Sequence, residues 1–204
     1  MEYKPYYYQA FAENFILNNA AAGLLLDMGM GKTAISLTAA DKLLFDYFAV
    51  RKVLVIAPLK PARETWPPEA KKWDHLRHLR FSLILGSKKE RIAACSKEAD
   101  IYIINREQVV WLVDYYKSAW PFDMVIIDEL SSFKSSKAQR FRALKKVRKY
   151  ITRIVGLTGT PSPNGLLDLW PEMYLLDEGK ALGKTLTSYR ETYFVPDKRN
   201  ATTI

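Results

Sequence analysis

Six short apolar runs, each closed by a turn-forming or polar residue, leave this chain few ways to fold. They are "GLLLD" at 23–27, "KVLVIAP" at 52–58, "FSLILG" at 81–86, "DIYIIN" at 100–105, "DMVIIDE" at 123–129 and "RIVGLTGT" at 153–160. The apolar residues are continuous rather than alternating, the pattern of strands covered on both faces. Segments with helical spacing lie between them: "TAISLTAADKLLFDYF" from Thr33, "KKERIAACSKEA" and "REQVVWLVDYY". Strands that alternate with helices predict an α/β domain on a mostly parallel central sheet. No internal repeat, low-complexity linker or shift of composition divides the 204 residues, so 1–204 reads as a single domain.

Composition narrows the function classes. The single cysteine, Cys95, excludes an internal disulfide, and Cys95 with only His75 and His78 argues against a structural zinc site. The run "AAAGLLL" at Ala20–Leu26 is too short for a membrane span and ends on Asp27, and no secretory signal is visible. A cytoplasmic protein with no membrane partner is expected. A net charge of +9, from 31 Lys+Arg against 22 Asp+Glu, favours a polyanionic partner through counterion release.

In a parallel sheet, ligands bind beyond the carboxyl ends of the strands. The unusual residues of this sequence fall there. "LDMGMGKT" joins the first strand to its helix. Gly29 and Gly31 allow positive φ and close approach of backbone to an anion. The helix start adds free N–H groups, with Lys32 for the β and γ phosphates and Thr33 as a hydroxyl ligand to Mg2+. Leu26 stands where the full phosphate-loop pattern has its first glycine. The loop Met28, Gly29, Met30, Gly31, Lys32, Thr33 and Ala34 reads as a nucleotide phosphate site, with a plain glycine turn as the alternative. "MVIIDELS" delivers Asp128 and Glu129 to the same edge. Adjacent acids there call for a cation, with Asp128 on the metal and Glu129 on the attacking water. A solvated acidic turn is the other reading.

The whole set, in order, resembles the superfamily-two helicases, and among them the Snf-like DNA translocases in their compact phage and prophage form. The resemblance rests on Gln9, "DMGMGKT", "VLVIAPLKPARETWPPEAKKW", "VIIDELSSFKSSKAQRFRAL" and "GLTGTPSPNGLLDLWPEMYLLD". It implies a three-layer RecA-like P-loop NTPase fold, ATP with Mg2+, and DNA, duplex in the nearest look-alikes. Lys32, Asp128 and Glu129 become the catalytic set, with Thr33 and Asp128 toward the metal. Gln9, after an aromatic, takes the position that reads adenine. Tyr8 or a neighbouring tyrosine would stack on the base while the others pack into the sheet edge. Pro58, Leu59 and Lys60, and less closely Asn105 and Arg106, match loops that touch nucleic acid. Thr158, Gly159, Thr160 and Pro161 match the motif that couples nucleotide to movement. Ser131 stands where the family usually has histidine, and serine would have to supply that hydrogen bond. If phage-encoded, the chain would work in the host cytoplasm.

The run "KSSKAQRFRALKKVRKYITR" from Lys134 to Arg153 contains no acid. With Phe141, Leu144 and Val147 on a buried face, its cations are expected to fan over an exposed, polyanion-facing side. Trp66, Trp73, Trp111, Trp120 and Trp170 read as packing rather than as base-stacking platforms. The resemblance also implies a second RecA-like lobe that supplies arginines to the γ-phosphate. Residues 1–204 hold no such lobe, so it is expected in cis or in trans. This single lobe is expected to bind ATP and hydrolyse it feebly alone. A nucleotide-gated DNA-binding or assembly module with little turnover is the competing function. A small-molecule kinase fits less well, because it leaves "TGTPSPN" without a role.

Overall fold

Six parallel strands form the centre of the computed structural model, which describes residues 1–160 and 165–195. They are β1 (Ala21–Leu25), β2 (Val53–Ala57), β3 (Phe81–Ile84), β4 (Ile101–Asn105), β5 (Met124–Asp128) and β6 (Arg153–Thr158). The sheet order is β1-β6-β5-β2-β4-β3. Each strand lies inside one of the apolar runs, as a sheet covered on both faces requires.

Alternate residues of each strand feed two cores. Val53, Val55, Ile101, Ile103, Met124, Ile126, Val155 and Leu157 face α1 (Tyr7–Asn18), α2 (Lys32–Phe45), α3 (Leu59–Glu64) and α4 (Trp66–Lys72). Leu54, Ile56, Tyr102, Ile104, Val125, Ile127 and Ile154 face the other layer. That layer is built from α5 (Lys88–Cys95), α6 (Val109–Tyr116), α7 (Gln139–Val147), α8 (Leu169–Asp177) and α9 (Leu186–Tyr193). The result is the expected three-layer α/β/α domain.

The helices depart from the sequence pattern in instructive places. The helix from Thr33 was expected to run to Phe48 but ends at Phe45. Phe48 takes a left-handed backbone (φ 49°), and the turn amides of Asp46, Tyr47, Ala49 and Val50 satisfy the carbonyls of Lys42 and Leu43. Helices α3 and α4 begin among prolines, which the first helical turn tolerates because its N–H groups have no helical partner. The N-terminal tyrosines do not pack on the sheet edge. Tyr7 begins α1, and Tyr6 and Tyr7 are exposed.

Two interactions between distant segments set the position of α1. Its buried Glu13 carboxylate pairs with Lys42 of α2 at 2.6 Å. Its last carbonyls, Ile16 and Leu17, accept from Arg153 Nη1 at 3.2 and 3.1 Å. Arg153 therefore belongs to the structure rather than to an exposed basic face. Arg148 does too: it is buried and donates to the carbonyls of Leu175, Leu176 and Ile151. The outward side of α7 keeps Arg142, Lys145 and Lys146, on the sheet face opposite α2.

Glu172 of α8 is a charge in an apolar layer. It is buried, and its Oε1 has no hydrogen-bond partner among the described residues. Burial and the like charge of Asp168, opposed by Lys134, push its carboxyl up to about 7. The folded chain thus binds this proton more tightly than the unfolded chain. The resulting stability is present below the ordinary carboxylate range and is lost as pH rises through about 7. Urea unfolding should show a loss on the order of 2 kcal/mol between about pH 5 and about pH 8 that Glu172→Gln removes. Parallel pH curves for the two proteins would contradict this assignment.

Candidate nucleotide and nucleic-acid site

The carboxyl ends of five neighbouring strands deliver almost every site residue singled out above. Read across the sheet, the exits are the loop after β1 (Leu26–Gly31), Gly159 and Thr160 after β6, and Glu129 after β5. Pro58 to Lys60 follow β2, and Arg106 follows β4. Asp27, Met28, Gly29, Lys32, Asp128, Glu129, Ser131, Thr158, Gly159 and Thr160 line one cavity of about 700 Å³. Pro61 and Leu157 complete its wall.

The loop has the shape its glycines allow. Gly29 and Gly31 have φ of 80° and 78°, a conformation that costs a residue with Cβ roughly 1 kcal/mol or more. Lys32 begins α2, and its ammonium donates to the carbonyl oxygens of Leu26 and Asp27, the latter at 2.8 Å. Burial lowers its pKa, while Asp128 and Asp27 oppose the shift. Thr33 follows in the first turn of α2, and Ala34 is buried behind it. Met28 is fully open to solvent.

Tyr8 and Gln9 reach this loop from α1. The Tyr8 hydroxyl and the Gln9 amide nitrogen each donate to the Met30 carbonyl at 3.4 Å. Gln9 Oε1 accepts from the Tyr6 amide at 2.9 Å. A Cβ on Gly31 would stand 2.5 Å from Gln9 Nε2, so this glycine makes room for the side chain above it.

The two acids differ in setting. Asp128 is the deeper, and its Oδ2 accepts from Trp66 Nε1 at 3.1 Å. Burial raises its pKa and Glu129 adds to the rise, against the Trp66 hydrogen bond and the charge of Lys32. Glu129 has a left-handed backbone (φ 57°, ψ 62°), and its Oε2 accepts from Arg106 Nη1 at 2.7 Å. That backbone costs a residue other than glycine roughly 1 kcal/mol or more, and such conformations concentrate at functional positions.

β6 lies directly against the loop that follows β1. The Leu26 amide donates to the Thr158 carbonyl at 3.2 Å, and Thr158 Oγ1 accepts from the Thr160 amide at 3.2 Å. A Cβ on Gly159 would meet the Leu26 carbonyl oxygen at 3.5 Å. Ser131 lines the same cavity as these threonines. Pro161 lies outside the described residues. Leu59 and Lys60 are exposed at the start of α3, and Asn105 and Arg106 are half-buried.

Sequence reading did not find two of these links. Trp66 packs as its sequence context predicts and is fully buried, and its indole also holds Asp128. Arg106, which the resemblance sends to nucleic acid, also holds Glu129. Each pair joins segments far apart in the chain, where no local pattern exists to read.

Known proteins place this arrangement. The family model of the SNF2-related domain matches residues 8–198. The chain belongs to the SNF2-related family. It is an α/β RecA-like lobe of the superfamily-two, Snf-like ATPase core. It is 42% identical over 198 residues to protein p41 of Acyrthosiphon pisum secondary endosymbiont phage 1, covering 94% of this chain and 43% of that protein. It is 30% identical to the DNA excision repair protein ERCC-6-like of Mus musculus, covering 92% of this chain and 15% of that protein. Two solved structures share the fold. The Sulfolobus solfataricus SWI2/SNF2 ATPase core in complex with dsDNA aligns with a TM-score of 0.81 at 22% identity, over 98% of this chain and 41% of that one. The core domain of the same enzyme aligns at 0.70 and 25% identity, over 93% and 39%. The chain thus spans less than half the length of each of these relatives.

A double-mutant cycle tests the tie between Trp66 and Asp128. Trp66→Phe and Asp128→Ala should couple by about 1 kcal/mol in urea unfolding. Additive effects would show that the indole and the carboxylate are independent.

Proposed function

We propose that this chain is the ATP-binding lobe of a DNA-dependent ATPase of the superfamily-two translocase type. The observation that carries the reading is the convergence of Lys32, Asp128, Glu129 and Thr158–Thr160 on one cavity at one sheet edge. Membership in the SNF2-related family supports ATP with Mg2+ as its cofactors.

The residues present fit a metal-bound triphosphate. Gly29 and Gly31 shape a loop of backbone amides beside a lysine, and the half-buried Asp128 has its charged form disfavoured by desolvation and by Glu129. A cation beside Asp128 relieves both penalties. Thr33 and Asp128 would hold the magnesium, which when bound neutralises charge on the phosphates. Lys32 binds the β and γ phosphates as a point charge, and its present bonds to two loop carbonyls are exchangeable for phosphate oxygens. Glu129 orients the attacking water and accepts its proton. Tyr8 and Gln9 sit where an adenine above the loop would meet a ring and an amide that can both donate and accept.

The DNA side is formed by Pro58, Leu59, Lys60, Asn105 and Arg106, one or two strands from the carboxylates. The solved relative named as a complex with dsDNA supports a duplex as the track. Ser131, Thr158, Gly159 and Thr160 connect the two sides, because Thr158 is bonded through the backbone to the phosphate loop while Ser131 follows the acids. Residues 1–204 constitute one lobe, and the arginines that complete hydrolysis come from a second RecA-like lobe in cis or in trans.

A second reading, a nucleotide-gated DNA-binding module with little turnover, draws on the Arg106 contact that occupies Glu129. Glu129→Gln separates the two. In an ATPase it should leave ATP binding intact and lower steady-state hydrolysis at least about 100-fold, measured with a second lobe present. In the module it would leave DNA loading by ATP undisturbed. Phosphate release with and without duplex DNA, on this chain and on one extended through a second lobe, should show feeble turnover in the first and DNA-stimulated turnover in the second. Strong, DNA-stimulated hydrolysis by the monomeric single lobe would contradict the need for a partner.

A further inference from the structure

Arg106 carries two carboxylates on one guanidinium. Its Nη1 donates to Glu129 Oε2 at 2.7 Å, and its Nε donates to Glu107 Oε1 at 2.9 Å. Glu107 is steadied by Asn105, whose Nδ2 donates to Oε2 at 3.1 Å. The contact to Glu129 is the one that matters for chemistry. It draws the carboxylate assigned to water activation toward the exit of β4, and it does so on a residue whose backbone is already in the left-handed region.

The sheet order shows what this contact crosses. β2 lies between β4 and β5, and adjacent strands stand about 4.8 Å apart. The Arg106–Glu129 pair therefore spans the exit of β2, where Leu59 and Lys60 are exposed. One salt bridge joins the acid edge to the surface assigned to DNA. The planar fork of a guanidinium matches a phosphodiester as well as it matches a carboxylate. The side chains of Arg106 and Glu129 are 27% and 56% exposed, so the pair is solvent-screened and contributes little to holding itself together. A phosphate that arrives on this surface meets an arginine it can take.

We infer that Arg106 is a positioning residue for Glu129, and that it exchanges this carboxylate for a backbone phosphate of DNA, releasing Glu129 to the nucleotide. The inference rests on the function proposed above and adds the route by which DNA reaches the chemistry. Such an exchange is reciprocal. The factor by which Glu129 weakens the DNA contact equals the factor by which DNA loosens Glu129.

That reciprocity gives a test that needs no hydrolysis. The full chain is titrated, without nucleotide, into a short fluorescently labelled DNA duplex at several salt concentrations. Glu129→Gln should tighten binding about two- to fivefold, the range of a solvent-screened ion pair. Arg106→Ala should weaken binding and reduce the slope of log affinity against log salt by about 0.9, one phosphate contact. In the Arg106→Ala background, Glu129→Gln should no longer tighten binding. Arg106→Gln, which keeps most of the stem and a donor, should reproduce that result, with thermal unfolding verifying that every variant is folded. If Glu129→Gln tightens binding equally with and without Arg106, the effect is bulk charge: the exchange is overturned and the DNA reading stands. If the unsubstituted chain binds no duplex at all, the DNA reading fails and the exchange fails with it.

Discussion

Among the described residues, strand β1 joins the sheet through one neighbour, β6, and that single pairing ties the loop after β1 to the rest of the candidate site. The register sets Leu25 opposite Thr158 and Gly23 opposite Gly156. It brings residues more than a hundred positions apart to one edge, and the Leu26 amide extends the ladder by bonding the Thr158 carbonyl. Gly156 is small for a reason: a Cβ there would stand 2.6 Å from Leu130 and 3.2 Å from Leu176. Leu130 belongs to the turn that follows the acid pair. A side chain at 156 would therefore disturb the packing under Glu129 and the pairing of β1 together. The two halves of the proposed nucleotide site are mechanically one object.

Around that frame, each acid of the pair is held by a donor from another element. Trp66 of α4 holds Asp128, and Arg106 after β4 holds Glu129. Both donors belong to segments next to the loops assigned to DNA: α4 directly follows α3, which starts at Leu59, and Arg106 lies in such a loop itself. On the nucleotide side, Glu13–Lys42 and Arg153 set α1 so that Tyr8 and Gln9 meet Met30. The chemistry, as proposed, is framed by contacts between separate elements. Little of it is local.

This explains what could be read from the chain before its structure. The six strands were legible because burial on both faces writes itself as continuous apolar runs, and the loops were legible because a parallel sheet puts its ligand residues after its strands. "GMGKT" and "DE" carry their chemistry within a few residues. Helices α1, α3, α4, α8 and α9 were not legible as helices; α1 is only weakly amphipathic by pattern, and α3 and α4 begin among prolines. The partners of Trp66, Arg148, Arg153 and Arg106 were not legible for one reason. Each depends on a partner at least 23 positions away, in a contact made only by the tertiary fold. The basic stretch shows the cost of reading charge without partners, because two of its arginines are spent on helix carbonyls rather than on any surface.

The loop ending at Lys32 and the acid at Asp128 are proposed to bind one magnesium-bound adenosine triphosphate between them. Isothermal titration calorimetry of ATP into the full chain, with magnesium and with EDTA in its place, measures this directly. Binding should be saturable and strengthened by magnesium, and Asp128→Asn should render it indifferent to the metal. No heat of binding under any of these conditions, or an affinity that magnesium does not change in the unsubstituted chain, would contradict it.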